Sequence, residues 1–512
     1  MSSSWWLAVL VVMVAWIAYD LIQRKHAILR NFPIVGHFRY WLEAIGPELR
    51  QYIVTDNNEE RPFSRDQRRW VYATSKRENP YFGFGSDNEM ELAPNYLIIK
   101  HQPFPLEAIH PGQDGYDPMW RIPCAKVLGG PRGRARAFRP PSVVNVSGMS
   151  FGSLSGPAVE SINRGCRLAD CLHNTGEGGV SVHHLHGGDL IWQIGTGYFG
   201  CRDADGRFSM ALLKEQAARA PQIRAIEIKL SQGAKPGVGG MLPKVKISPE
   251  IARARGIPLG RDCISPSGHT MFRDADSMLD FVELVAQETG LPVGIKAAVG
   301  ESGFWRELAA LMENGSRGVD FITIDGGEGG TGAAPLVFSD HVALPFKVGC
   351  ARVSKILVEQ DIHDRVVVVG SGKLGFPEAA LFAFALGCDM VAVAREALLS
   401  IGCIQAQRCH TNHCPTGLTT QNRWLTRGVD PTLKSARLAS YVVGLRKDLL
   451  ALTRTCGVVH PSLITADQLE LLDGRFGAKT LAELFDYGTD YGLPSAQDRE
   501  EIERLMSAGR PH

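Results

Sequence analysis

The sequence predicts an α/β protein built on a (β/α)8 barrel of the TIM type, with a membrane-spanning helix before the barrel and a helical extension after it. From residue 142 onward, short apolar runs alternate with longer stretches of helical periodicity. The runs are rich in valine and isoleucine without polar alternation, which is typical of parallel strands buried on both faces. Eight such units across about 260 residues match the size of a (β/α)8 barrel.

The amino-terminal segment, residues 1–25, is predicted to be a membrane anchor. Residues 5–19 carry no charge, and extension past Asp20 to Ile22 gives about 18 residues, or roughly 27 Å of helix, close to the apolar thickness of a bilayer. A cleaved signal peptide is the alternative, but it would begin with basic residues, and none precedes the run. Basic residues follow it instead, namely Arg24, Lys25 and Arg30. Because positive charge is retained inside, we expect a single-pass protein of the cell membrane with its catalytic domain in the cytoplasm.

Residues 26–140 are predicted to form an irregular lead-in, because prolines punctuate residues 80–140 too often for long helices. Residues 60–70 are basic, but the chain as a whole balances 55 basic against 54 acidic side chains. Binding to nucleic acid usually requires a concentrated basic face. No nucleic acid is therefore expected as a partner.

The barrel is assigned to residues 141–440, and its eight strands are predicted from the apolar runs. These runs are residues 143–147, 172–174, 225–230, 263–265, 292–297, 321–324, 365–369 and 390–394. The intervening segments are long enough for crossover helices, as at residues 276–289 and 303–313. Residues 441–512 carry leucines among charged residues and are predicted to be helices that cover the barrel or a homo-oligomer surface.

Most of the polar, glycine-rich segments follow directly after these runs, at the face where the active sites of such barrels form. A single segment of this kind is commonly only a turn, since glycine tolerates positive φ. Four of them carry Ser, Glu, Lys or Asp at matching strand ends, which favours a functional site. They are residues 148–152, 174–179, 232–237 and 325–332.

Gly370, Gly372 and Gly375 form a Gly-x-Gly-x-x-Gly motif after the seventh predicted strand. The dinucleotide fingerprint of a Rossmann domain lies near the first strand and precedes several further βα units, which this motif does not. In the loop after barrel strand seven, the same backbone N–H groups can close on a phosphate. The phosphate of flavin mononucleotide (FMN) fits such a site.

Three cysteines in residues 402–415 indicate a metal centre: Cys403, Cys409 and Cys414. Thiolates bind the soft irons of clusters, and three sulfurs without a fourth nearby suit a 3Fe-4S cluster better than a four-cysteine cubane. Two alternatives remain, a zinc site completed by His410 or His413 and uncoordinated thiols. The other eight cysteines are scattered singly, so no disulfide framework is expected.

Together, these segments resemble the FMN-binding synthase domain of glutamate synthase over roughly residues 110–440. Residues 147–152 look like its first flavin loop, and residues 174–179 match its Asn-Thr-Gly-Glu-Gly-Gly. Residues 229–240 follow its Lys-x-x-Gln-Gly-Ala-Lys-Pro-Gly-x-Gly-Gly. Residues 402–421 are similar to its 3Fe-4S loop, with Cys-x5-Cys-x4-Cys-Pro intact.

The resemblance implies a stand-alone, membrane-anchored oxidoreductase of the class that acts on CH–NH2 donors, with FMN and a 3Fe-4S cluster. Its flavin would receive electrons through the cluster and reduce a 2-imino acid, formed from 2-oxoglutarate and ammonia or an amine, to an amino acid. Ferredoxin or a separate reductase would donate the electrons. The alternatives are an FMN-dependent oxidoreductase or isomerase of another 2-oxo or 2-hydroxy acid, and a non-catalytic redox subunit of a larger complex.

Three residues are predicted to be catalytic. Lys235, together with Lys229, could neutralise the reduced flavin and a substrate carboxylate, and Arg255 could hold a second carboxylate. Glu177 could contact the imino nitrogen or relay a proton. The predicted cofactor-binding residues are Ser147, Met149, Ser150, Lys229, Lys296, Asp325, Gly327, Gly370, Gly372 and Gly375.

Two positions depart from the family motif, because Val238 and Met241 stand where the family has glutamate and glutamine. A thioether cannot donate the hydrogen bond of an amide, and the loss of such a contact shifts selectivity. The identity of the oxo acid therefore stays open.

Overall fold

The computed structural model describes residues 3–23, 26–49, 59–81, 83–113 and 115–507. The chain divides into two compact units, Met1–Arg69 and Trp70–His512. The first unit contains α1 (Ser3–Ile22), α2 (Ala27–Asn31) and α3 (Val35–Leu49), and α4 (Arg65–Lys76) spans the boundary. The described part of the predicted irregular lead-in is therefore largely helical before residue 77.

The first helix, α1, is long and apolar enough to cross a membrane, as is a signal sequence at the same position. Asp20 is the only charged residue in it, and its carboxylate is buried. That carboxylate accepts a hydrogen bond from the Ile34 N–H at 2.9 Å and contacts His37 Nε2 at 2.9 Å. Arg24 and Lys25, on which the predicted orientation depends, lie outside the described residues.

The second unit contains the predicted barrel, in which eight parallel strands close in the order β10-β11-β2-β3-β4-β5-β8-β9. Before them, the described residues contain one strand, β1 (Tyr96–Ile99). The barrel strands are β2 (Val144–Val146), β3 (His173–Asn174), β4 (Leu190–Ile194), β5 (Ile223–Lys229), β8 (Val293–Ala298), β9 (Phe321–Asp325), β10 (Val367–Ser371) and β11 (Met390–Val393). The helices between them are α5 (Gly156–Ala169), α6 (Met210–Arg219), α7 (Pro249–Arg255), α8 (Ala275–Thr289), α9 (Gly303–Met312), α10 (Leu336–His341), α11 (Phe346–Glu359) and α12 (Pro377–Ala385).

One predicted barrel strand, residues 263–265, was wrong. Cys263–Ile264 is β7, which pairs antiparallel with β6 (Met241–Leu242) outside the barrel and leaves Ile264 73% exposed. Its place in the barrel belongs to β4, all five residues of which are buried. Both runs are short and apolar, so only parallel pairing with β3 and β5 distinguishes the buried one. Lys229 consequently ends barrel strand four rather than strand three.

The amino-terminal ends of the strands are closed by apolar packing. Leu128, from the segment before the barrel, pairs with Phe138 and enters this core. Other members of the core lie near the strand starts: Leu172, Ala225, Phe321, Val367 and Met390. A buried ion pair between Lys126 and Asp389, 3.0 Å apart, lies at the same end. A ligand site must therefore form at the opposite, carboxyl-terminal mouth.

The carboxyl-terminal region is helical, as predicted, with α13 (Arg395–Ser400), α14 (Arg423–Thr426), α15 (Pro431–Thr455), α16 (Leu481–Phe485) and α17 (Ala496–Ser507). Helix α15 packs on α5, where the buried Arg446 donates to the Ala169 carbonyl at 2.8 Å. The sequence did not predict that β12 (Leu469–Leu472) joins β1 and β13 (Ala478–Thr480) in an antiparallel sheet. Strand β1 has no local partner, so only the fold reveals this pairing.

Because two histidines are fully buried, we expect the folded chain to lose stability in acid. Burial lowers the pKa of His173 to about 3 and that of His460 to about 4, so both are neutral in the folded chain. The unfolded chain takes up these protons below about pH 6.5, which costs about 1.4 kcal/mol of stability per histidine per pH unit until the folded pKa is reached. In urea unfolding from pH 7.5 to 5, we expect His460→Gln to flatten this fall. The exposed His101→Gln serves as the control, and an unchanged slope in His460→Gln would contradict the assignment.

Candidate active site

A pocket of about 380 Å³ opens at the carboxyl-terminal mouth of the barrel. The loops that follow β2, β3, β5, β9, β10 and β11 contribute to its wall. Seven of the lining side chains are basic and three are acidic: Lys229, Lys235, Lys246, Arg255, Lys296, Lys373 and Arg395, against Glu177, Asp325 and Glu396. The pocket therefore suits an anionic ligand.

Most of the predicted site residues come together here, although they are far apart in sequence. The pocket is lined by Ser147, Met149, Ser150, Glu177, Lys229, Lys235, Arg255, Lys296, Asp325, Gly372 and Cys409. Three predicted cofactor-binding glycines, Gly327, Gly370 and Gly375, do not line this pocket. A Cβ on Gly370 would lie 2.8 Å from Leu374, a Cβ on Gly375 would lie 2.4 Å from the Tyr441 hydroxyl, and Gly327 N–H donates to Leu344 O at 2.9 Å.

The loop after β10 thus presents Gly372 and Lys373 to the pocket rather than all three glycines of the motif. Gly372 has a φ of +154°, a conformation that side chains rarely adopt. The Gly375 N–H donates to Glu396 Oε1 at 3.2 Å, and its carbonyl accepts from Tyr441 of α15. The far end of the loop is therefore tied to the helical extension.

Glu177 lies between two buried lysines. Its Oε1 is 2.9 Å from Lys229 Nζ and 3.7 Å from Lys235 Nζ. Burial alone would raise the pKa of Glu177, but Lys229 and Lys235 outweigh it and lower the pKa to about 2. Glu177 is therefore ionised at neutral pH and has no proton to donate. Burial lowers the pKa of Lys235, which makes this lysine the better proton donor.

Arg255, at the end of α7, is held rigidly beside this group. Its Nη2 donates to Phe151 O at 3.1 Å, and its guanidinium carbon lies 5.1 Å from the centre of the Phe199 ring. The side chain is only 5% exposed, and within the described part of the chain its Nε–H has no hydrogen-bond partner. A guanidinium fixed on the pocket wall fits a ligand carboxylate.

Lys296 and Asp325 form a second buried pair, with 3.1 Å between Nζ and Oδ1. Asp325 also accepts from Ser371 Oγ at 2.7 Å and from the Gly233 N–H at 2.8 Å, so it joins β9, β10 and the loop after β5. Burial would lower the pKa of Lys296, but Asp325 and then Glu227 outweigh burial and raise it. Lys296 is therefore a permanent cation at the mouth.

The polar residues of this region that sequence reasoning missed include Gln193 and Glu227. Gln193 lies on β4, the strand that was not predicted. Glu227 lies inside β5, in the run Ile-Arg-Ala-Ile-Glu-Ile-Lys. A carboxylate within a buried apolar strand was the available signal, because such a group needs dedicated partners.

The cysteine loop borders the pocket through Cys409. Lys246 Nζ donates to the Cys409 carbonyl at 2.6 Å and to the Thr419 carbonyl at 2.9 Å. Burial would raise the pKa of Cys414, but hydrogen bonds from Thr416 and Thr419 outweigh burial and lower it, as suits a thiolate ligand. Among the described residues, no group of three or more His, Cys, Asp or Glu is placed to hold a metal ion. The cluster remains a prediction.

A closed barrel with a basic pocket at its carboxyl-terminal mouth defines the class of (β/α)8-barrel enzymes. A family model described as the conserved region in glutamate synthase matches residues 136–459, more than half of the chain. The chain therefore belongs to the glutamate synthase family of oxidoreductases. Family membership also supports the predicted FMN site.

The chain is 37% identical over 483 residues to the glutamate synthase large subunit-like protein YerD of Bacillus subtilis, covering 89% of this chain and 92% of that protein. It is 34% identical over 301 residues to the archaeal-type glutamate synthase [NADPH] of Thermotoga sp. (strain RQ2), covering 58% of this chain and 56% of the relative. The chain thus spans about half the length of that relative.

The chain is also similar to two solved structures. A flavocytochrome b2 variant with pyruvate bound is 14% identical, with a TM-score of 0.43 and 90% of each chain covered. A mandelate oxidase variant with (S)-mandelic acid is 16% identical, with a TM-score of 0.43 and 77% of this chain and 91% of that chain covered.

The Glu177 cluster yields a prediction about Lys235. Glu177→Gln removes the charge that favours the protonated form of Lys235, so the pKa of Lys235 should fall further. At pH 7, a small acylating reagent that reacts with amines should then modify Lys235 faster, as measured by peptide mass spectrometry. The exposed pair Lys214–Glu288 supplies the control, because Glu288→Gln should leave the rate at Lys235 unchanged. An equal or slower rate in Glu177→Gln would contradict the coupling.

Proposed function

We propose that the protein is an FMN-dependent oxidoreductase of glutamate synthase type. It would reduce a 2-imino acid, formed from a 2-oxo acid such as 2-oxoglutarate and ammonia or an amine, to the amino acid. The observation that carries the proposal is the fixed group of Lys229, Lys235 and Arg255 around the mouth pocket, in a chain of this family. These cations suit an anionic cofactor and an acidic substrate.

The pocket residues fit FMN. Ser147, Met149 and Ser150 line one side, and Gly372 and Lys373 line the side predicted for the phosphate. The permanent charge of Lys296 would stabilise an anionic reduced ring. Bound FMN would supply the hydride that the imine carbon receives.

Side chains of the protein would carry out the remaining steps, which are substrate binding and protonation of the imine nitrogen. Arg255 would bind a substrate carboxylate through its guanidinium, which lines the pocket, and this contact would fix the orientation of the imine. The imine nitrogen gains one proton as its carbon gains the hydride, and Lys235 would donate that proton from Nζ. Glu177, held ionised, would keep the two neighbouring lysines in place. Met241 lies half-exposed on the pocket wall and would contact the distal part of the oxo acid.

Electrons would reach the flavin through an iron–sulfur cluster. Cys403, Cys409 and Cys414 would hold a 3Fe-4S cluster, and the position of Cys409 on the pocket wall would bring the cluster close to the flavin site. Ferredoxin or a separate reductase would supply electrons from outside. A zinc site that includes His410 or His413 remains the competing occupant.

One anaerobic preparation tests these assignments. Quantitation of flavin, iron and zinc distinguishes the cofactors, and the reduced protein is then mixed with 2-oxoglutarate and ammonium. Flavin reoxidation with stoichiometric glutamate supports the proposal. Reoxidation only by other 2-oxo or 2-hydroxy acids favours a different substrate, and reoxidation by none of them favours a non-catalytic redox subunit.

We expect Arg255→Met to weaken binding of the oxo acid while FMN binding is retained. A hydrogen bond to a charged group contributes about 1.5–3 kcal/mol, so kcat/KM should fall roughly 10- to 150-fold, mainly through KM. Arg202→Met is the matched control, because Arg202 also lies over the Phe199 ring, with 5.5 Å to its centre, but does not line the pocket. An unchanged KM in Arg255→Met would remove Arg255 from the substrate site.

We also propose that α1 anchors the protein in the cell membrane, with the barrel in the cytoplasm. The helix is exposed along nearly its whole length and contains 20 residues, enough to span the apolar layer. Deletion of residues 1–25 should move the protein from the membrane pellet to the supernatant after ultracentrifugation. Asp20→Asn, which keeps the apolar run, is the control and should stay in the pellet. Membrane retention after the deletion would contradict the anchor.

A further inference from the structure

Glu227 is a buried carboxylate that the proposed chemistry leaves without a role. It lies on β5, inside the barrel, and is 1% exposed. Its Oε2 accepts from Asn174 Nδ2 at 2.7 Å and from Gln193 Nε2 at 2.6 Å. Its Oε1 accepts from Thr323 Oγ1 at 2.6 Å. Three other barrel strands, β3, β4 and β9, therefore converge on one side chain.

Such a group is costly to bury, because a carboxylate loses its hydration and needs full compensation. The three short hydrogen bonds provide part of it. The nearby cation Lys296 compensates the charge further. Glu227 is, after Asp325, the carboxylate whose charge most favours the protonated form of Lys296. Because Glu227 needs all of these partners, it also fixes the orientation of the side chains that bind it.

The two amides are the partners that matter most for the pocket. Because Asn174 and Gln193 both point their NH2 groups at Glu227, the orientation of each amide is determined. Asn174 Oδ1 is then free to accept from the Gly176 N–H at 3.0 Å, which closes the turn leading to Glu177. Gln193 itself lines the pocket.

The same amides support the loop after β2. A Cβ added to Gly148 would lie 2.7 Å from Asn174 Oδ1 and 3.1 Å from Gln193 Nε2, so the backbone of this loop rests directly on both amides. The loop continues into Met149 and Ser150 on the pocket wall. Glu227 thus lies beneath two of the loops that shape the pocket.

We propose that Glu227 is a positioning residue of the cofactor site. Through Asn174 and Gln193 it holds the loops that carry Met149, Ser150 and Glu177 in their binding geometry. Its charge also lowers the positive potential around Lys296, which disfavours the reduced, anionic flavin. This inference rests on the proposed FMN function. Glu227 itself is not among the residues that line the pocket.

Two substitutions separate geometry from charge. In Glu227→Gln, the new amide oxygen can accept from both Asn174 and Gln193, while its NH2 donates to Thr323 Oγ1, so the hydrogen bonds persist without the charge. In Glu227→Leu, the two amides lose their acceptor. Asp389→Asn is the matched control, because it neutralises a carboxylate that is 2% exposed at the opposite end of the barrel.

The measurements are FMN affinity, by titration of the flavin-stripped protein, and the flavin midpoint potential, by anaerobic spectroscopy. We expect Glu227→Gln to keep the FMN affinity within about threefold and to raise the potential by about 30 mV, which is a tenfold change for a two-electron couple. Glu227→Leu should weaken FMN at least about tenfold. Asp389→Asn should lower the thermal midpoint of unfolding only.

If Glu227→Leu does not fold, the potential of Glu227→Gln alone decides the matter. Potentials and affinities equal to those of Asp389→Asn in both Glu227 variants would overturn the inference while leaving the FMN site intact. A wild-type protein that binds no FMN would instead overturn the proposed function, and the inference with it. The two failures are therefore distinguishable.

Discussion

Closure of the barrel concentrates charge at one end of the molecule, and the pairing of that charge constrains the rest of the site. The amino-terminal end is filled by apolar side chains, whereas the carboxyl-terminal mouth holds lysines and carboxylates removed from water. Buried charges persist only when they are paired and hydrogen-bonded. Glu177 with Lys229, and Asp325 with Lys296, meet this requirement across different strands. The first pair therefore ties the loop after β3 to the end of β5, and the second ties β8 to the end of β9.

This arrangement leaves more basic than acidic side chains on the pocket wall, counted over the described residues. The pairs use up Glu177 and Asp325, while Arg255 retains a buried donor. Such a pocket is preorganised for anions, because its cations are already held in place before a ligand arrives. The same reasoning explains why Lys235 differs from an ordinary surface lysine, since burial lowers its pKa toward the range useful for proton transfer.

The helical extension takes part in the site indirectly. Helix α15 packs along α5, and its Tyr441 bonds to the Gly375 carbonyl at 2.8 Å, in the loop that presents Gly372 and Lys373. The loop is thus fixed at one end by β10 and at the other by a helix that follows the barrel. Side chains outside the barrel therefore shape its mouth.

The sequence alone determined the barrel, seven of its eight strands and a group of site residues that mostly meet at the pocket, because continuous apolar runs and polar loops at strand ends are local signals. Only the tertiary structure decided between residues 190–194 and 263–265 as a barrel strand, since burial by neighbouring strands is not encoded in either run. The same holds for Gly375, which packs against Tyr441, and for Glu227, whose three partners lie on other strands. Roles that depend on contacts between distant residues become visible only when the chain is folded.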